Sequence, residues 1–212
     1  MVAVIITGSP GTGKTTVSKI VSKNLEYPLI NINDLITEKH IYNGYDEEKG
    51  YKVVDLSSLS REIKLALDEF SKEQLIVIEG HLAHYFDVEE LVETVIVLRS
   101  RPDILRKRLN KRKWSDSKVQ ENLEAEALDI CTFEAVEIHG EKVNELDTSD
   151  LGVEDVAELV IEILDGKKHF SPGKLNFLEN YLDENLDLKK YDKKKNFLLF
   201  LLLIFCSWPI GI

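Results

Sequence analysis

The chain has 212 residues, of which 43% are hydrophobic and 31% are charged. This length and apolar content fit one α/β domain of ordinary size with an additional tail, and they exclude a wholly disordered chain. Acidic residues outnumber basic ones 38 to 27, which gives a formal net charge of −11. Because that charge repels phosphate backbones, we expect no direct binding of nucleic acid, and a basic protein partner suits the surface better.

The two cysteines, Cys131 and Cys206, show neither a CxxC spacing nor a metal-binding pattern. Unpaired thiols are typical of a reducing compartment, so we expect a cytoplasmic protein. The first residues contain no basic stretch and lead directly into a glycine-rich loop. We therefore interpret residues 2–7 as a buried strand and not as a signal peptide.

Predicted strands and helices alternate along the chain. Strands are expected at the apolar, β-rich runs 2–7, 27–32, 75–78, 94–98 and 142–146. Helices are expected at 15–25, from 35 onward, and at 60–70, 102–108, 115–138 and 153–164. Asn33 and Asp34 are predicted to cap the second helix. The polar stretch 40–54 is predicted to be a long loop. The alternation predicts an α/β fold with a parallel five-stranded sheet and helices on both faces.

The sequence changes character after Gly166, which closes the last predicted helix. We therefore predict a domain at 1–166, a polar, lysine-containing extension at 167–195, and an apolar tail at 196–212. The wholly apolar run 197–206 has ten residues, whereas a membrane-spanning helix needs about 20. Membrane association of the tail is not favoured for this reason, although its lysine flank and Trp208 are typical of an interfacial segment. The remaining alternative is a dispensable extension.

Residues 8–15 match the phosphate-binding pattern GxxxxGK[ST] in full. Glycines let such a loop wrap around phosphate with its N–H groups pointing inward, and the following helix adds the positive end of its dipole. Lys14 can then reach the β- and γ-phosphates, the Thr15 hydroxyl can ligate magnesium, and Thr16 can contact a phosphate nearer the ribose. We therefore expect ATP and Mg²⁺ as cofactors. The ATP-binding candidates in this region are Gly11, Gly13, Lys14, Thr15 and Thr16.

Several segments together carry a resemblance to one family. They are the phosphate loop, Asn33-Asp34-Leu35, Tyr42-Asn43-Gly44-Tyr45-Asp46-Glu47-Glu48, Ile78-Glu79-Gly80-His81, Val97-Leu98-Arg99, and the basic stretch around Arg108 and Arg112. The chain resembles the adenylate kinase isoenzyme 6 family, which includes the coilin-interacting nuclear ATPase and archaeal relatives. The resemblance covers about residues 1–165. It implies a P-loop three-layer sandwich of the nucleoside monophosphate kinase type with a short lid. It also implies weak ATPase activity and a role in small ribosomal subunit maturation through a basic ribosomal protein.

A carboxylate and a histidine follow the third predicted strand. Glu79 stands where P-loop enzymes place a carboxylate that orients magnesium, often through water. The family usually has aspartate there, and the extra methylene of Glu79 changes the reach of the carboxylate. His81 is predicted to orient a water molecule or the acceptor phosphate. The structural alternatives are a charged residue leaving the sheet and a histidine that packs locally.

Arginines are concentrated after the fourth predicted strand, at positions 99, 101, 106, 108 and 112. Phosphoryl transfer needs fixed positive charge, and arginine provides it in a planar fork. A kinase lid belongs between two helices, so we place it at about 109–119 and take Arg112 as its ATP-binding and catalytic residue. A solvated basic face is the alternative for several of these arginines.

The acceptor-nucleotide region is expected at about 31–54, with Asn33, Asp34, Tyr45 and Asp46 as candidate contacts. The acidic run that begins at Asp46 is equally well explained as a solvated turn. The preferred function is an ATP- and Mg²⁺-dependent nucleoside monophosphate kinase that converts ATP and AMP to two ADP. One alternative is an ATPase that acts in ribosome biogenesis and rRNA processing. The other is a nucleotide-regulated binding module without catalysis as its role.

Overall fold

The central element is a five-stranded parallel sheet, seen in a computed structural model that describes residues 2–46, 51–70 and 74–185. The strands are β1 (Val2–Thr7), β2 (Leu29–Asn31), β3 (Tyr42–Asp46), β4 (Tyr51–Val54), β5 (Leu75–Glu79), β6 (Val92–Arg99) and β7 (Val143–Asp147). The sheet has the order β2-β5-β1-β6-β7, and all its neighbours pair in parallel. This agrees with the predicted α/β fold.

Helices cover both faces of the sheet. The α-helices in the described part of the chain are α1 (Lys14–Leu25), α2 (Ile32–Lys39), α3 (Leu56–Asp68), α4 (Pro102–Asn110), α5 (Asp116–Ala127), α6 (Ile130–His139), α7 (Val153–Leu164) and α8 (Leu178–Asn185). Alternate residues of β1 point to opposite faces. Ala3 and Ile5 join a core with α2 and α3, whereas Val4 and Ile6 join a second core with α1 and α7. The result is the predicted three-layer sandwich.

The predicted loop at 40–54 contains an antiparallel hairpin formed by β3 and β4. Polar residues and glycines suggested a loop, but a two-stranded ribbon exposed to solvent needs no continuous apolar pattern. The single helix predicted at 115–138 is also wrong, because α5 and α6 are separate. Asp129 between them has a positive φ of 58°, which a continuing helix does not accept.

Arg99 lies at the end of β6 and explains this break. It is 1% exposed, and its guanidinium bonds Glu126 Oε1 at 2.8 Å, the Glu126 carbonyl at 2.7 Å and the carboxylate of Asp129. It also bonds Glu145 Oε1 at 2.5 Å. Arg99 therefore joins β6 and β7 to the turn between α5 and α6.

Side-chain packing continues beyond residue 166, where the domain boundary is predicted. Phe177 and Tyr181 are 5% and 3% exposed, and the Phe177 ring lies against Arg99 with 5.3 Å between the ring centroid and Cζ. Helix α8 packs against α4 and α5, where the Tyr181 hydroxyl donates to Glu124 Oε1 at 2.9 Å. The segment that contains Phe177 and Tyr181 therefore packs as part of the domain, although most of its residues are polar.

The predicted tail at 196–212 and the end of the extension lie outside the described residues. Among residues 2–46, 51–70 and 74–185, no helix combines the length and apolarity that a bilayer crossing requires.

Candidate active site

The phosphate loop connects the carboxyl end of β1 to the start of α1 at the edge of the sheet where the parallel strands end. Gly8 has a φ of +130°, and a Cβ atom there would lie 2.2 Å from the Leu98 carbonyl oxygen on the neighbouring strand. A Cβ atom at Gly11 would lie 2.8 Å from Cδ1 of Leu105 in α4. These two positions need glycine because backbone and helix approach so closely. Gly13 occupies the N-cap position of α1.

Lys14 is folded back onto the loop in this structure. Its Nζ donates to the carbonyl oxygens of Gly8 at 2.7 Å and Ser9 at 2.9 Å, and the residue is 8% exposed. Burial lowers the pKa of Lys14 to about 8, although the charges of Cys131, Glu79 and Glu126 raise it in part. The loop thus holds a buried amine whose hydrogen bonds go to backbone oxygens, which a phosphate oxygen can replace.

Glu79 ends β5 beside the phosphate loop and is 1% exposed. Burial raises its pKa, while a hydrogen bond with Thr15 and the charge of Lys14 lower it in part. Asn31 Nδ2 donates to Glu79 Oε1 at 2.5 Å. The structure therefore brings together Lys14, Thr15 and Glu79 from two strand ends, as the sequence predicted for a P-loop site.

Asn31 was missed by the sequence reasoning. It is the N-cap of α2, since its Oδ1 accepts from the backbone N–H groups of Asn33 at 2.8 Å and Asp34 at 3.1 Å. The predicted caps, Asn33 and Asp34, instead lie exposed in the first turn of the helix. Because Asn31 uses its amide oxygen for the cap and its amide nitrogen for Glu79, it fixes the carboxylate relative to α2. An Asn at a predicted strand end was the available signal.

His81 follows Glu79 in the loop after β5 and is half-buried. Burial is the main cause that lowers its pKa to about 4, and the charges of Lys14, His84 and Lys118 lower it further. The His81 ring is therefore neutral near pH 7. A neutral imidazole accepts one hydrogen bond and donates another, which is the property needed to orient a water molecule or a phosphate oxygen.

The segment predicted to be the lid is the connection between α4 and α5. Arg112 stacks on Trp114, with 5.3 Å from its Cζ to the ring centroid, and the Nζ atom of Lys118 lies 4.7 Å from the same centroid. Trp114 itself packs against the apolar cluster of α4 and α5, as expected for a lid-packing aromatic residue. The positive charge of Arg112 makes a small contribution to lowering the pKa of Lys14.

Other arginines of the basic stretch have structural partners. Arg99 is enclosed by carboxylates as described above. Arg101 pairs with Asp103 and Asp150 at the surface. Arg108 donates to the Thr148 carbonyl oxygen at 2.9 Å and its Oγ1 at 3.2 Å, and Thr148 Oγ1 lies 3.1 Å from the Thr12 carbonyl oxygen of the phosphate loop. Neither Arg99 nor Arg101 is thus available as a phosphate ligand in this arrangement.

A cleft lies beside α1 and α2 in the region predicted to bind the acceptor. It is lined by Lys19, Leu29, Ile30, Asn31, Asp34, Leu35 and Glu38. Of the predicted acceptor contacts, Asp34 lines this cleft and Asn33 is exposed nearby. Tyr45 and Asp46 belong to β3, but their side chains lie outside the described part of the structure.

The donor set at the site suits magnesium. Mg²⁺ prefers oxygen ligands and is usually held by one or two carboxylates together with substrate phosphates. The Thr15 hydroxyl and the nearly buried Glu79 carboxylate supply such oxygens on the phosphate side of the loop. No cluster of three or more His, Cys, Asp or Glu side chains suited to a metal occurs within 2–46, 51–70 and 74–185. The residues therefore fit a metal that is held jointly with a nucleotide.

Comparisons with known proteins agree with this geometry. A sequence profile described as "AAA domain" matches residues 4–129. A protein of Methanothermobacter thermautotrophicus named "Putative adenylate kinase" is 41% identical over 175 residues, which are 82% of this chain and 96% of the relative. A protein of the same name from Methanosarcina acetivorans is 37% identical over 186 residues, covering 82% of this chain and 97% of the relative.

Solved structures show the same fold at low sequence identity. Shikimate kinase from Acinetobacter baumannii has a TM-score of 0.52 and 14% identity, with 79% of this chain and 95% of that chain covered. The YorR protein of Bacillus subtilis, solved with phosphorylated GDP, has a TM-score of 0.51 and 16% identity, with 77% and 95% covered. The profile match and the two archaeal relatives place the chain in a family of P-loop kinases, which confirms the resemblance that the sequence suggested: the protein belongs to the same family as these archaeal proteins.

Proposed function

We propose that the protein is an ATP- and Mg²⁺-dependent nucleoside monophosphate kinase, with AMP as the first-choice acceptor and two ADP as products. The observation that carries the proposal is the convergence of Lys14, Thr15, Glu79 and His81 at the carboxyl ends of β1 and β5. The names of the archaeal relatives support the same activity. Hydrolysis of ATP is proposed as a secondary activity of this site.

ATP binding is assigned to the phosphate loop. The N–H groups around Gly11 and Gly13 and the N-terminus of α1 provide a positive, anion-binding surface. Lys14 exchanges its two loop carbonyl partners for oxygens of the β- and γ-phosphates. Because phosphate charge stabilises the ammonium form, binding offsets the burial that lowers the pKa of Lys14 to about 8. Thr16, exposed in the first turn of α1, is proposed to contact a phosphate nearer the ribose.

Magnesium would be held by the Thr15 hydroxyl directly and by the Glu79 carboxylate through a water molecule. When bound, the ion neutralises charge on the transferred phosphoryl group. Asn31 holds one Glu79 oxygen through its amide, so the carboxylate is fixed before substrates arrive. Such fixed orientation reduces the reorganisation that the reaction needs.

Transfer itself requires positioning and charge stabilisation. The acceptor phosphate oxygen is already anionic, so no strong general base is needed. Lys14 and Arg112 stabilise the moving phosphoryl group from two sides, and the neutral His81 orients the acceptor phosphate. Asn33, Asp34, Tyr45 and Asp46 are proposed as contacts of the acceptor nucleotide, within a region that includes α2 and β3.

The decisive experiment is a panel of AMP, GMP, CMP and UMP, each incubated with ATP and Mg²⁺, with the diphosphates separated by chromatography. We expect AMP to give the fastest acceptor-dependent formation of diphosphate. If none of the four acceptors increases ADP formation above ATP alone, the kinase proposal is wrong.

The same panel tests the two alternatives. ATP turnover that a basic ribosomal protein stimulates and AMP does not would favour the ATPase that acts in ribosome maturation. ATP binding without turnover, together with nucleotide-dependent release of a protein, would favour the binding module. These alternatives are supported by the family resemblance and by the acidic net charge of −11.

A further inference from the structure

A buried polar network connects the strand before the phosphate loop with the loop that carries His81. Its centre is His84, which is 1% exposed. His84 Nδ1 lies 2.8 Å from the hydroxyl oxygen of Thr7, and Nε2 lies 3.1 Å from Glu134 Oε2 on α6. The Thr7 hydroxyl also donates to the His81 carbonyl oxygen at 3.3 Å. The sequence pattern did not single out Thr7, His84 or Glu134.

Hydrogen-bond chemistry determines how the network is arranged. Burial raises the pKa of Glu134, but hydrogen bonds from His84 and Tyr85 outweigh it, so its pKa lies below the usual range. The ionised carboxylate accepts, and His84 Nε2 therefore donates to it. The Thr7 hydroxyl donates to the His81 carbonyl oxygen and also lies within hydrogen-bond distance of His84 Nδ1. Thr7 and Glu134 thus each contact one ring nitrogen of the buried His84.

The network is held from a second side. His139 Nε2, also on α6, lies 2.7 Å from the His84 carbonyl oxygen. Thr7 is fully buried and immediately precedes Gly8, the first residue of the phosphate loop. The backbone of the His81 loop is thus attached to β1 on one side and to α6 on the other.

We propose that Thr7 and His84, with Glu134 as the hydrogen-bond partner of His84, are positioning residues that hold His81 at the correct distance from the phosphate loop. This inference rests on the proposed role of His81 in phosphoryl transfer. None of the three touches the reacting phosphates; they act through the backbone of His81. Because a displacement of about 1 Å can cost up to about 100-fold in rate, loosening this attachment lowers kcat without removing a substrate contact.

The test is a double-mutant cycle between Thr7→Val and His81→Ala. Thr7→Val keeps the shape of the side chain but removes the hydroxyl. We expect it to lower kcat by about 10-fold, with the KM for ATP changed less than about twofold, and Thr7→Ser to restore most of kcat. In the His81→Ala background, Thr7→Val has little further effect on kcat, because the group that it positions is gone. Glu134→Gln is the second variant, with the same expectation, should Thr7→Val fold poorly.

Thr94→Val is the matched control. Thr94 lies near the start of β6, where its hydroxyl donates to the Lys142 carbonyl oxygen at 3.0 Å, so the substitution removes a comparable hydrogen bond away from the site. We expect its kcat to equal that of the wild type.

Each outcome has a consequence. Equal losses from Thr7→Val with and without His81, or an unchanged kcat in His81→Ala, would overturn the positioning role. If the wild-type protein phosphorylates none of the four nucleoside monophosphates, the kinase proposal fails, and the cycle is then measured on ATP hydrolysis. The absence of any ATP turnover by the wild type would overturn both proposals.

Discussion

Replacement of Arg99 by methionine is expected to destabilise the fold strongly. The guanidinium is 1% exposed and bonds carboxylates of Glu126, Asp129 and Glu145, of which the first and last are also buried. Methionine fills a similar volume but leaves these charges without a cation. Removal of one partner from a buried ion pair costs about 3–5 kcal/mol, which is a large part of the roughly 5–15 kcal/mol that stabilises a typical domain.

The effect of Arg99→Met should also depend on pH. Burial is the largest influence on Asp129 and raises its pKa, whereas Arg99 lowers it in part. Without Arg99, the folded-state pKa of this carboxyl rises further above its unfolded value. The folded state then favours the protonated carboxyl, so the destabilisation grows as pH rises through that range and shrinks as pH falls. We therefore expect a greater loss of stability at pH 8 than at pH 5.

Urea denaturation followed by circular dichroism measures this loss. Arg101→Met is the matched control, because Arg101 pairs with the exposed Asp150 at the surface and its removal should hardly move the midpoint. Addition of Glu126→Gln and Glu145→Gln to Arg99→Met should recover part of the stability. Equal midpoints for the wild type and Arg99→Met at pH 8 would refute the structural role of this arginine.

Four further predictions follow from the site and from the packing of the C-terminal segment. Lys14→Ala should lower kcat in the AMP assay by roughly 10²–10³-fold and leave the thermal melt unchanged, because it removes charge stabilisation and not core packing. Near-normal turnover would contradict the P-loop assignment. Glu79→Gln and His81→Ala should lower kcat more than they raise the KM for ATP. The kcat of Glu79→Asp should lie between those of Glu79→Gln and the wild type, because the shorter carboxylate reaches Asn31 less well. An unchanged kcat in Glu79→Gln and His81→Ala would remove both residues from the site. Burial raises the pKa of Cys131 to about 12. Iodoacetamide at pH 8 should therefore alkylate this thiol far more slowly in the folded protein than in urea, and mass spectrometry of the Cys131 peptide measures the rate. A chain that ends at residue 170 should unfold at lower urea concentration than one that ends at 185, because it lacks Phe177 and Tyr181. Burial of each of these side chains stabilises the fold by about 1.5–3 kcal/mol. Coincident unfolding transitions of the two chains would show that α8 contributes no stability.

Features that depend on neighbouring residues could be predicted from the sequence. The phosphate loop is contiguous, so its spacing indicated Gly11, Gly13, Lys14, Thr15 and Thr16 without a structure. The five parallel strands followed from short apolar runs separated by helices. Because parallel strands end at one edge of a sheet, the sequence also indicated that Glu79 and Lys14 would meet.

Features that depend on residues far apart in the chain were decided by the tertiary structure. Asn31 meets Glu79 across 48 positions, and Arg99 meets Glu145 across 46, so no local spacing could reveal either pair. The contacts of Arg99 also depend on the turn at Asp129, whereas helical periodicity alone predicted a helix that continues past this residue. Tyr181 is buried although its surroundings in sequence are polar, since α4 and α5 supply the apolar surface that covers it. Local patterns reveal loops and strand faces because the covalent chain sets their geometry, whereas partners of buried polar groups are determined only when distant elements pack and exclude water.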